Sequence, residues 1–136
     1  MEEKTKAQKD YDSYMVAYEF DKAQSEYEKF MEKYKSGIVG TEEVGKTIAW
    51  MGFYYGKANK RYAMALKAYK WVSSQFEQIE DDSGKKITSA KATKLAEATI
   101  ENDNVLDAQI EVQTIDKYIY CLTALQKGIG KEFGQN

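Results

Sequence analysis

The sequence predicts an all-α protein: a long antiparallel helical hairpin, about 42–80 and 88–131, preceded by an N-terminal helix over about 6–35. Three observations predict it. The 136 residues include no proline, so nothing in the chain forbids long helices. Apolar residues recur at alternating intervals of three and four along most of its length. Two glycine-bearing polar segments, at Ser36-Gly37 and Ser83-Gly84, punctuate that period. No segment carries the two-residue alternation of a half-buried strand, and the length fits a single domain, 1–136.

In the first helix the apolar positions are Val16, Phe20, Ala23, Tyr27, Phe30 and Tyr34, and Ser36-Gly37 is a helix-stop pair. The second helix starts with Thr41 as its N-cap, and Glu42 and Glu43 stand at the positive end of its dipole. Its seam runs Val44, Ile48, Met51, Tyr55, Ala58, Tyr62, Ala65, Tyr69, Val72, Phe76 and Ile79, a coiled-coil-like spacing. Beside it lies a track of small residues, Gly45, Ala49, Gly52 and Gly56. Each glycine costs about 1 kcal/mol of helix propensity against alanine. Close approach of another backbone, from the first helix or a second subunit, would offset that cost; a frayed first turn is the other reading.

Residues 81–86 are a polar turn, after which Thr88 caps the returning helix with Ile87 as a staple residue. Ala92, Leu95 and Thr99 mark its first stretch; Val105, Ala108, Val112, Ile115, Ile119, Leu122, Gln126, Ile129 and Phe133 continue the seam. Asn102-Asp103-Asn104 is placed to kink this helix, and Gly128, Gly130 and Gly134 to end it. A short turn between two seams of like period makes an antiparallel hairpin the economical arrangement.

Composition removes whole classes of chemistry. With no histidine there is no Ser-His or Cys-His dyad and no mixed Cys/His zinc site. The single cysteine, Cys121, cannot form a disulfide framework, which fits a reducing compartment, and its apolar neighbours Tyr120 and Leu122 suggest a core thiol. No signal peptide is visible behind the N-terminus, and the longest apolar run, 48–55, is far below the roughly 20 residues of a membrane span. A cytoplasmic protein, with no membrane partner, no cofactor, no metal and no catalytic residues, is the expectation. The heavy use of lysine against one arginine suggests an AT-rich genome, such as a low-GC bacterium or its phage.

Residues 40–47 spell the P-loop pattern G-x-x-x-x-G-K-[ST], from Gly40 through Gly45-Lys46-Thr47. A working P-loop needs a buried strand before it and backbone amides around phosphate oxygens. Here only Ile38 and Val39 precede the glycine, and Glu42 and Glu43 stand where the phosphates would lie. The match is read as a helix start. Asp81 and Asp82 lack the closing glutamate of a calcium loop and are read as a solvated turn.

Charge is the most informative feature. Between residues 44 and 76 there are six basic side chains and no acidic one, a +6 segment in a chain whose remainder carries −8. Lys46, Trp50, Phe53, Lys57, Lys60, Met64, Lys67 and Trp71 step by four and three on a face apart from the apolar seam, and Arg61 adjoins them. Lysines alternating with large rings suit a phosphate backbone with bases stacked on aromatics, as in binders of single-stranded DNA. The returning helix offers another reading. Glu97, Glu101, Asp103, Asp107, Glu111 and Asp116 occur with no basic residue among them. Arg61 would face Asp107 and Lys57 would face Glu111, with the rings as core or subunit interface.

Over residues 44–133 the layout resembles the UvsY-type recombination mediators of phages. The resemblance lies in the basic, tyrosine-rich helix from Tyr54-Tyr55-Gly56-Lys57 to Lys70, the polar turn, the stretch from Lys86 to Ala98 and the apolar terminal helix. It implies a helical protein that assembles into rings and helps load a recombinase onto single-stranded DNA; the N-terminal helix has no counterpart in it. The expectation is therefore a homo-oligomeric phage or mobile-element accessory protein in the cytoplasm of a bacterial host. It would assist single-stranded DNA recombination or replication through Lys46, Trp50, Phe53, Lys57, Lys60, Arg61, Lys67 and Trp71. The alternative is a protein-interaction module, such as an anti-defence inhibitor or virion component, without affinity for nucleic acid.

Overall fold

The computed structural model describes residues 4–37 and 39–132; Ile38, Phe133 and Gly134 lie outside them. The fold is all-α. Among the described residues five helices follow one another: α1 (Lys6–Val16), α2 (Lys22–Lys35), α3 (Thr41–Phe76), α4 (Ser89–Glu97) and α5 (Ile100–Glu132). Among the described residues the only extended pairing is an isolated bridge between Glu80 and Lys86. The expected N-terminal helix is two. After Val16 the chain leaves the helix, and Asp21 takes a left-handed conformation (φ 58°) before α2 starts. Aspartate tolerates that region through its short polar side chain. The break leaves Val16 and Phe20 exposed instead of continuing the Ala23 and Phe30 face.

Local signals fix most boundaries. Thr5 caps α1, its hydroxyl accepting from the Gln8 amide at 3.0 Å, and Thr88 caps α4 through the Lys91 amide at 3.2 Å. Gly37, at φ 83°, stops the chain after α2, its amide donating to the Tyr34 carbonyl at 3.0 Å. α3 ends at Phe76, four residues before the expected limit, because residues 77–79 turn through short-range bonds into the loop. There Asp81 Oδ1 accepts from the amides of Ser83 and Lys85 and the hydroxyl of Ser83. Gly84 supplies the positive φ of 80° that this turn needs. The interruption of the return helix falls at 98–99, ahead of Asn102. Thr99 Oγ1 accepts from the Asn102 amide, and the Asn102 side chain reaches back to the Glu97 carbonyl, so each end gains a cap. Gly128 and Gly130 do not end α5, which runs to Glu132.

The described residues form two compact units. One contains the chain up to Tyr18 with Asn59–Ile110, the other Glu19–Ala58 with the chain from Glu111 onward. Each has its own core. In the first, Tyr11, Ala65 and Val105 are buried with Met15, Tyr62, Met64, Leu66 and Tyr69 around them. In the second, Ala23, Phe30, Val44, Met51, Ala58, Ile115, Leu122 and Ile129 are buried. Within this second unit α3 and α5 pack antiparallel, and the side chain of Gln126 donates to the Thr41 carbonyl at 3.2 Å. The two seams expected on α3 and α5 are the faces these cores use. No described helix is long and apolar enough to cross a membrane.

Candidate nucleic-acid interface on α3

At about 100° per residue, a stripe displaced by two positions from a seam points roughly the opposite way. Lys46 is two positions beyond Val44, Trp50 two beyond Ile48, Phe53 two beyond Met51. Burial of the seam therefore turns the basic and aromatic stripe outward. Trp50 is 56% exposed, Phe53 52% and Trp71 46%, and Lys46, Lys57, Lys60 and Lys67 are exposed with them.

In the second unit the rings form one cluster. Trp50 meets Phe53 edge-on, with centroids 6.0 Å apart, and lies nearly parallel to Tyr54 at 6.1 Å; Phe53 meets Tyr54 at 5.7 Å. Lys57 Nζ sits 4.7 Å from the centroid of Phe53, a cation over a ring face. Tyr54 joins the cluster without belonging to the stripe. It is half-buried, and its hydroxyl is held above the ordinary tyrosine value by burial first and by Glu26 and Glu19 second, so at neutral pH it is a neutral ring. Lys46 Nζ lies 3.8 Å from Glu42, with both side chains well exposed; a pair of this kind is worth about 0–1 kcal/mol and leaves the ammonium open to other anions.

In the first unit the arrangement differs. Lys67, Lys70 and Trp71 are exposed, and among the described residues no carboxylate pairs with Lys60, Lys67 or Lys70. Lys60 Nζ lies 5.2 Å from the ring centroid of Tyr14. Arg61 departs from the expected site. It is 7% exposed, its Nε donates to the Tyr11 hydroxyl at 3.3 Å, and its guanidinium lies 5.5 Å from the centroid of Tyr18. The reason is geometric. Arg61 falls three residues after Ala58 and four before Ala65, on the edge of the seam, where α1 widens the buried face. The part played by Tyr11, Tyr14 and Tyr18 was not legible in the spacing of α3; the one hint is their own recurrence at three and four.

The P-loop letters are spent on helix. Residues 41–47 are the first two turns of α3, where the Val44 amide donates to the Gly40 carbonyl and Thr47 Oγ1 donates to the Glu43 carbonyl. No loop of free amides surrounds a phosphate-sized space there. The small-residue track divides into two parts. A Cβ on Gly45 would meet the side chain of Gln126 at 3.3 Å, whereas Gly52 and Gly56 face open space, so the first helix does not approach them. Cys121 is exposed rather than core, because the buried position is its neighbour Leu122.

No protein-family model, curated protein or solved structure matches this chain.

Proposed function

We propose that the protein is a non-enzymatic accessory factor that binds single-stranded nucleic acid through the exposed lysines and rings of α3. In this role it would assist single-stranded DNA recombination or replication in a phage or mobile element. One observation carries the proposal: Trp50 and Phe53 in the second unit and Trp71 in the first are about half exposed, the former beside Lys46 and Lys57 and the latter beside Lys67, with no acidic side chain in the sequence from residue 44 to 76. Apolar rings left in water cost free energy unless something covers them. Bases stack on any ring face, and lysines neutralise the phosphates between them. With about four phosphate contacts on a single strand, affinity falls with salt to roughly the 2.8 power, so doubling the ionic strength weakens binding about sevenfold. A labelled oligo-dT titrated at two salt concentrations measures this. Absence of binding at low salt, with the helical circular dichroism intact, removes the proposal.

A second reading has its own observation. Gly52 and Gly56 present bare backbone to open space next to Ala49 and Trp50, a surface that admits another helix at close range. A protein partner, a second copy of the chain included, would use it. Such docking tolerates salt and Lys→Gln replacement but is lost in Trp50→Ala, the opposite pattern to strand binding. Solution mass shows whether the partner is a second copy.

A further inference from the structure

Besides the apolar packing of Tyr11 and Met15, three tyrosines of α1 and the segment after it meet the cations Lys60 and Arg61 of α3. Tyr11 accepts a hydrogen bond from the Arg61 guanidinium, Tyr18 lies under the same group and Tyr14 lies under Lys60. A phosphate oxygen would accept from a guanidinium as the Tyr11 hydroxyl does, and a base would stack on a cation as the Tyr14 and Tyr18 rings do. Tyr14 and Tyr18 are themselves paired, centroids 5.7 Å apart, so they stand as one two-ring unit.

α1 is anchored in the first unit through Tyr11 and Met15, and most of the rest of it is exposed. Of the 11 residues of α1 only Gln8 and Tyr11 are buried. Val16 is 87% exposed, and the ion pair between Lys4 and Asp12 lies at the surface. Gln8 Oε1 is buried with no hydrogen-bond partner among the described residues, a cost relieved as soon as α1 meets water. The helix is followed at once by the non-helical stretch that ends at the left-handed Asp21.

We infer that α1 and the segment after it are an internal stand-in for the strand: Tyr11, Tyr14 and Tyr18 occupy Lys60 and Arg61 in the first unit, and single-stranded nucleic acid binds there by displacing them. This rests on the function proposed above and adds its regulation. Apparent affinity is then the intrinsic affinity scaled by the fraction of molecules with α1 released.

The test uses the full chain. Tyr14→Ala with Tyr18→Ala removes the stand-in rings, and Tyr14→Phe with Tyr18→Phe keeps them. The alanine pair binds oligo-dT more tightly than the wild type, by about threefold or more if release is the minority state, and the phenylalanine pair binds like the wild type. Amide exchange of residues 6–16 in the unsubstituted protein speeds up when oligo-dT is saturating, a readout that stands even if the alanine pair fails to fold. Wild-type binding with no gain in a folded alanine pair, or slower exchange of residues 6–16 on binding, overturns the stand-in and leaves strand binding intact. Silence toward oligo-dT in both the wild type and the alanine pair overturns strand binding and the stand-in together.

Discussion

Arg61 and Lys67 sit six residues apart on one helix and do different work. Arg61 is buried against Tyr11 and Tyr18, and Lys67 lies in solvent. Truncating a buried cation strands its partners without their hydrogen bonds. Arg61→Ala therefore lowers unfolding free energy by about 1–3 kcal/mol, whereas Lys67→Gln changes it by less than about 0.5 kcal/mol; urea titrations of the two variants measure the contrast. Asp81 carries a pH dependence of known sign. Its carboxylate is held below the ordinary value of 3.8, first by the Ser83 hydroxyl and next by the Lys85 amide. The lowered group contributes to loop order fully above 3.8, and the contribution is lost as pH falls through the folded value. Amide resonances of Ser83 and Lys85 should move in an acid titration with a midpoint under 3.8, and the same resonances in Asp81→Asn should not.

At the scale of the element, α3 keeps two faces with opposite demands. Its seam tolerates no loss of volume: Met51 and Val44 are fully buried, as is Leu122 on α5, and Leu122→Ala costs about 2–5 kcal/mol. Its outer face has room. Gly52→Ala and Gly56→Ala place a methyl group in open space and remove backbone entropy from the unfolded chain. Each raises stability by about 1 kcal/mol, seen as an increase in Tm. If a second helix docks on these glycines, the same substitutions weaken that association while the isolated chain gains stability, and the two measurements together decide whether the face is used.

For the whole molecule, the governing feature is the uneven placement of charge in a chain of net −2. The second unit presents Lys46 and Lys57 with the Trp50 cluster, and the first presents Lys60, Lys67, Lys70 and Trp71. Replacing Lys57, Lys60 and Lys67 by glutamine should flatten the plot of log affinity for oligo-dT against log salt by about 2. Loss of affinity without that flattening would point to contacts other than phosphates.

The sequence by itself determined the helical class, the seams of α3 and α5, and the caps at Thr88 and Ser36-Gly37. All of these follow from periodicity and local hydrogen bonding, which act within a few residues. Only the tertiary structure decided that Trp50, Phe53 and Trp71 stand outward, that Arg61 is buried, that Tyr11, Tyr14 and Tyr18 hold Lys60 and Arg61, that Gly52 and Gly56 are open and that the N-terminal helix breaks before Asp21. Each of those depends on which distant helix lies against a given face. An edge position such as Arg61 is inside or outside according to whether α1 covers it, and no spacing along α3 encodes the arrival of α1.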